Sequence, residues 1–98
     1  MAVYRPDIPL HVAEIIRHLT PELKQRIKLA IRSLSADPSA GEPLIAELSG
    51  LWSFKVRRFR IIYELHRKAR VLRIFAIGHR REVYEQLADQ LRQVKEGK

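Results

Sequence analysis

Three features of this 98-residue chain predict an α+β fold: an N-terminal helical hairpin packed on a small, mostly antiparallel β-sheet, followed by a C-terminal helix. Apolar residues recur at helical spacing as far as Leu34, at the two-residue period of strands from Trp52, and at helical spacing again from Val83. A run of turn-formers, Ser35 to Pro43 (SADPSAGEP), separates the first two regimes. The length suits one domain, residues 1–98, with a modest core.

Taken in order, Ala2 to Arg5 read as a short strand-forming lead-in closed by Pro6. Ile8, Val12, Ile15, Ile16 and Leu19 then share one helical face, with Asp7 as the expected N-cap. Thr20-Pro21-Glu22 restarts a helix: Thr20 caps it, Pro21 suits its first position, and Glu22 sits well in its first turn. Leu23, Ile27, Ala30, Ile31 and Leu34 form its apolar stripe, and the pair reads as an antiparallel hairpin covering a sheet. Trp52, Phe54 and Val56 alternate with Ser53, Lys55 and Arg57 in a first strand. Phe59–Leu65 and Val71–Ile77 are rich in β-branched and aromatic residues, joined by a polar connection at His66–Arg70. From about His79, the residues Val83, Leu87, Leu91 and Val94 mark the closing helix. The order is β-α-α-β-β-β-α.

Composition excludes several classes. No run approaches the ~20 apolar residues that span a bilayer, and MAVYRPDIPL lacks the basic-then-apolar layout of a signal peptide. The absence of cysteine removes disulfides and thiolate metal sites, which fits a reducing cytoplasm. His11, His18, His66 and His79 are scattered without ligand spacing, so no metal and no cofactor is expected. Nucleotide-binding glycine motifs and a GxSxG nucleophile turn are missing. Charge is more informative. The chain carries +8, yet Lys55 to Arg81 holds ten basic residues against one acid, Glu64. That stretch alone is +9, which points to a polyanionic partner, nucleic acid first.

Arg60 and Arg73 interrupt apolar strands, where a guanidinium must meet water or an anion. The plainer alternative pairs both with Glu64 on a wet sheet face. Arg80 and Tyr84 lie four apart and share a helix face, and Tyr84 is equally readable as a packing residue.

The run GLWSFKVRRFRIIYEL followed by IGHRREVYEQL resembles the C-terminal half of the RelE/ParE superfamily of bacterial and archaeal type II toxins, and the element order agrees with that family's fold. The resemblance implies an mRNA interferase, cutting messenger RNA in the ribosomal A site without metal by 2′-OH attack on the adjacent phosphate. It assigns Arg60 to the scissile phosphate, Arg80 to the same charge or the leaving oxygen, and Tyr84 to stacking on the reacting nucleotide. Lys55, with Arg57, would orient or deprotonate the 2′-OH. Arg58, Arg73, His79 and Arg81 join Arg57 as RNA contacts. Ser53 stands where many relatives are basic, Arg57-Arg58 replaces a glycine-containing turn, and Phe59 replaces tyrosine. The resemblance also implies an acidic antitoxin that folds on binding, a toxin–antitoxin complex that binds its own operator DNA, and no membrane. Two other readings stay open: a ParE-like gyrase poison, and a non-catalytic nucleic-acid-binding module. Retention of Lys55, Arg60, Arg80 and Tyr84 together favours the nuclease.

Overall fold

The computed structural model describes residues 3–96, with side chains described through residue 90. The elements are β1 (Arg5–Asp7), α1 (Leu10–Arg17), α2 (Pro21–Ala36), β2 (Glu42–Pro43), β3 (Leu51–Val56), β4 (Phe59–His66), β5 (Val71–His79) and α3 (Arg80–Glu96). Single 3₁₀ turns fall at Pro38–Ala40 and Ala46–Leu48. The sheet has five strands in the order β1-β5-β4-β3-β2. Only the β1–β5 pair is parallel.

The alternation of β3 and β4 gives the sheet two apolar faces. Trp52, Phe54, Val56, Ile61 and Tyr63 meet Val12, Ile16, Ile27, Ile31 and Leu34 of the helical hairpin. Leu51, Ile62 and Ala76 meet Val83 and Leu87 of α3 on the other side. Each fully buried Ile, Leu or Val contributes ~1.5–3 kcal/mol, so both helical layers are held mainly by this burial. Leu91 and Val94, also expected on the α3 stripe, lie outside the described side chains.

A bulge between Ile62 and Tyr63 on the β4–β5 ladder leaves Phe75 without a register partner. Both Phe75 and Ala76 therefore pack on the α3 side, out of strict alternation. His11 of α1 meets the Phe75 carbonyl through Nε2 at 3.1 Å. A carbonyl has no proton to give, so this nitrogen is the donor.

Thr20 caps α2 as expected, its side chain accepting from Leu23 N–H at 3.4 Å. Asp7 does not cap α1. The capping position is Pro9, without a side-chain bond, and Asp7 lies in β1 where its carboxylate takes Arg73 at 3.2 Å. Nor does Pro6 end the first strand. It sits inside β1, which tolerates a missing N–H because it is an edge strand. Ala2, the expected start of that strand, lies outside the described residues. Ile8 is 38% exposed instead of joining the α1 stripe. The expected loop over Ser35–Pro43 is also corrected, because α2 runs on to Ala36 and Glu42–Pro43 pairs with Ser53 and Trp52 as a fifth strand.

Two turn positions carry left-handed backbone on ordinary side chains near the ends of the β4 hairpins, Arg57 at φ 55° and Arg70 at φ 54°. Gly50, at φ 98°, opens the path into β3 in a conformation that suits glycine.

Candidate active site

Lys55 and Arg60 lie directly opposite each other on β3 and β4, both on the α3 side of the sheet. Two like charges in that register destabilise the hairpin unless an anion joins them. Among the described residues, no carboxylate pairs with Lys55, Arg58, Arg60, Arg80 or Arg81. Arg60 is half-buried and leans along β3, its Nη1 donating to Ser53 Oγ at 3.3 Å. Ser53 is only 3% exposed, so its hydroxyl is a fixed acceptor. That contact leaves most of the guanidinium's five donors for an outside anion.

On its other side Arg60 pairs with Gly78, and α3 begins two residues later. A Cβ on Gly78 would come 3.3 Å from Val83 Cγ2, so the absent side chain is what lets α3 start close over the sheet. This brings Arg80 and Arg81, both exposed, to the first turn of α3. Cations there oppose the helix dipole at a cost of ~0.3–1 kcal/mol each, and add to the positive potential that a phosphate would meet. Tyr84 is half-buried against the Leu51, Ile62, Ala76, Val83 and Leu87 cluster. Ser53 and Arg60 are the next residues along the same face of their strands from Leu51 and Ile62. Tyr84 is thus a packing residue on the face of the sheet that carries Lys55 and Arg60.

Other expected site residues are placed elsewhere. Arg57 turns toward the helical hairpin and pairs with Glu22 at 3.3 Å, so it does not share the Lys55 face. Glu22 also holds Arg26 at 3.7 Å. Arg73 is taken by Asp7 toward the opposite edge, and Glu64 lies 2.7 Å from His66 Nε2, off the line of a good hydrogen bond. The pairing of Arg60 and Arg73 with Glu64 is therefore not formed. His79 sits on the hairpin side, its ring 4.5 Å from that of Phe59. Trp52 and Phe54 are on that side too, with Trp52 stacked on Tyr63 at 6.2 Å, so neither offers a ring to the cationic face. Ser53 and Gly78 were missed as contributors. The strand period placed Ser53 beside Lys55, but nothing local indicated that it would hold an arginine seven residues away. No group of three His, Cys, Asp or Glu side chains suited to a metal occurs among the described residues.

The family model of the ParE toxin of type II toxin–antitoxin systems matches residues 6–84. The chain belongs to the ParE toxin family. It is therefore a type II toxin of the RelE/ParE superfamily, and its α+β architecture matches solved structures of RelE toxins. The toxin in the Mycobacterium tuberculosis RelBE2 toxin–antitoxin complex is similar at TM-score 0.73 and 24% identity, over 82% of this chain and 94% of that one. An arginine-to-alanine mutant of E. coli RelE in the free state gives TM-score 0.73 at 17% identity, over 90% and 97%. The archaeal RelE–RelB complex from Pyrococcus horikoshii gives 0.67 at 21%, over 82% and 97%. No curated protein matches the chain. Among the described residues, no helix of this toxin is long and apolar enough to cross a membrane.

Proposed function

We propose that this toxin is a metal-independent endoribonuclease acting on messenger RNA at the ribosomal A site. The observation that carries the reading is the unneutralised Lys55–Arg60 pair beside the start of α3. In the proposed reaction a 2′-OH attacks the adjacent phosphorus, the bond to the 5′-oxygen breaks, and the products are a 2′,3′-cyclic phosphate and a free 5′-OH. Negative charge accumulates on the non-bridging oxygens as the attack proceeds. Fixed cations stabilise that state more than the starting diester. Arg60, steadied by Ser53, would hold those oxygens. Lys55 would orient the 2′-OH, whose proton passes to water as a proton from water reaches the 5′-oxygen, Arg80 would stabilise charge at the phosphate or the leaving oxygen, and Tyr84 would stack on the reacting nucleotide. The RelE structures similar to this chain include complexes with RelB, which supports a cognate antitoxin as its partner. Carboxylates of such a segment would complement the same cations.

The experiment is cleavage of messenger RNA on programmed ribosomes, with mapping of the RNA ends. Cyclic-phosphate ends are expected, and a 2′-deoxy residue at the cut site should abolish the reaction. Cutting of that deoxy substrate would overturn the mechanism. The ParE family match favours a second reading, inhibition of DNA gyrase. Loss of supercoiling activity on adding the toxin, with RNA left intact, would establish it instead.

A further inference from the structure

In the sequence the ten cations between Lys55 and Arg81 form one block, but the fold divides them. Arg57 and Arg73 are neutralised by Glu22 and Asp7. Lys55, Arg58, Arg60, Arg80 and Arg81 gather where the β3–β4 turn and the start of α3 meet. Arg67, Lys68 and Arg70 lie at the other end of β4, in the turn into β5. All three are exposed, and none has a carboxylate partner among the described residues.

We propose that this β4–β5 turn is a second, non-catalytic site for RNA phosphates, anchoring the substrate at a distance from the cutting end. It deepens the ribonuclease reading and rests on it for the identity of the ligand. Two observations favour a selected site over a merely solvated turn. Arg70 takes a left-handed conformation, shared with Ala46 and Arg57, that glycine or asparagine adopts at lower cost, and it fixes the backbone of the turn beneath a cationic side chain. The turn is also held in place, closed by the His66–Val71 pair and tied to β1 by Arg5 N–H donating to the Arg70 carbonyl at 2.8 Å. That bond brings a fourth exposed cation, Arg5, to the same end of the sheet. Of the nearby carboxylates Asp7 is held by Arg73, while Glu64, 2.7 Å from His66 Nε2 but not hydrogen-bonded to it, sets one negative charge against the four cations. The patch therefore stays positive, which favours a phosphate backbone as its ligand.

From Arg60 to Arg67 the strand advances about 23 Å at ~3.3 Å per residue. A stacked strand rising ~3.4 Å per nucleotide covers that distance in about seven nucleotides. A dinucleotide substrate cannot touch both ends, whereas an RNA several times longer can.

The test is the triple variant Arg67→Gln, Lys68→Gln, Arg70→Asn, where asparagine preserves the left-handed turn. On the long RNA carried by programmed ribosomes its KM should rise about tenfold with kcat unchanged, and the log–log salt slope of binding to the free RNA should shrink by about 2, at ~0.7 per lost contact. On the dinucleotide, the variant and the parent should be indistinguishable. Equal affinity and equal salt slope on the long RNA would overturn the proposal, as would an equal loss on both substrates. Binding of a non-cleavable 2′-deoxy strand separates the two readings. If the parent cuts nothing on programmed ribosomes but the salt slope of free-RNA binding still falls in the variant, the nuclease assignment fails and the anchoring site stands.

Discussion

Gly41→Ala should be among the most damaging single-methyl additions to this toxin, although residue 41 lies in a surface segment. A Cβ there would overlap the Tyr63 hydroxyl and come within 2.9 Å of the Ser53 carbonyl oxygen and 3.1 Å of Tyr63 Cζ. Tyr63 cannot retreat easily. It is fully buried, stacked on Trp52, and its hydroxyl donates to the Pro38 carbonyl at 2.7 Å. Either the ring shifts in a filled core, at ~1–3 kcal/mol, or β2 swings off β3 and strands the buried hydroxyl, also at ~1–3 kcal/mol. A loss of that size corresponds to a fall in Tm of roughly 4–24 °C for a domain of this size. Urea and thermal unfolding followed by circular dichroism would measure it. Tyr63→Phe alone should cost ~1 kcal/mol through the lost Pro38 bond. In the double variant the colliding oxygen is gone, so the cycle should show a coupling of at least ~1 kcal/mol. Rescue should be partial, because the Ser53 carbonyl remains in the way. A Gly41→Ala protein that melts with the parent, or a cycle that adds linearly, would refute this account of why residue 41 is glycine.

Three further outcomes follow from the same geometry. Arg60→Ala should lower RNA cleavage by about 10²–10³, the usual loss for a charge donor in the transition state. It should leave the protein folded, and near-normal cleavage would remove Arg60 from the site. Burial raises the pKa of Tyr63, a backbone hydrogen bond from Gly41 partly offsets that, and Asp37 adds to the rise. The folded state therefore holds this proton more tightly than the unfolded chain, in which tyrosine titrates near ~10. Its contribution is complete below about pH 10 and is lost as pH climbs through the folded value, so unfolding scans above that pH should show a decline that Tyr63→Phe lessens. Finally, Arg57→Gly should be about 1 kcal/mol more stable than Arg57→Ala. Both lose the exposed Glu22 pair, but only glycine relieves the φ of 55°, and equal stabilities would remove strain from the account of this turn.

The elements themselves were legible because their signals are local. Thr20-Pro21 starts α2, the Trp52–Phe54–Val56 alternation sets the faces of β3, and the spacing of Val83 and Leu87 marks α3. The same locality put Lys55 on the opposite face from Phe54, and the order of elements followed. What the sequence could not determine depends on partners distant in the chain. Glu42–Pro43 is a strand only because β3 offers it an edge, and no period can be read from two residues. Asp7 had two possible uses, and the parallel register with Arg73 selected the ion pair over the helix cap. The bulge at Phe75 was invisible because an apolar run reads the same in either register. In the candidate site, sequence supplied the cations, while tertiary structure removed Arg57, Arg73 and His79 from the face and added Ser53. Charge composition is a sum over residues, but whether a cation is free depends on which carboxylate folding brings within reach. That is why one +9 stretch became two paired arginines and two separate groups of unpaired cations.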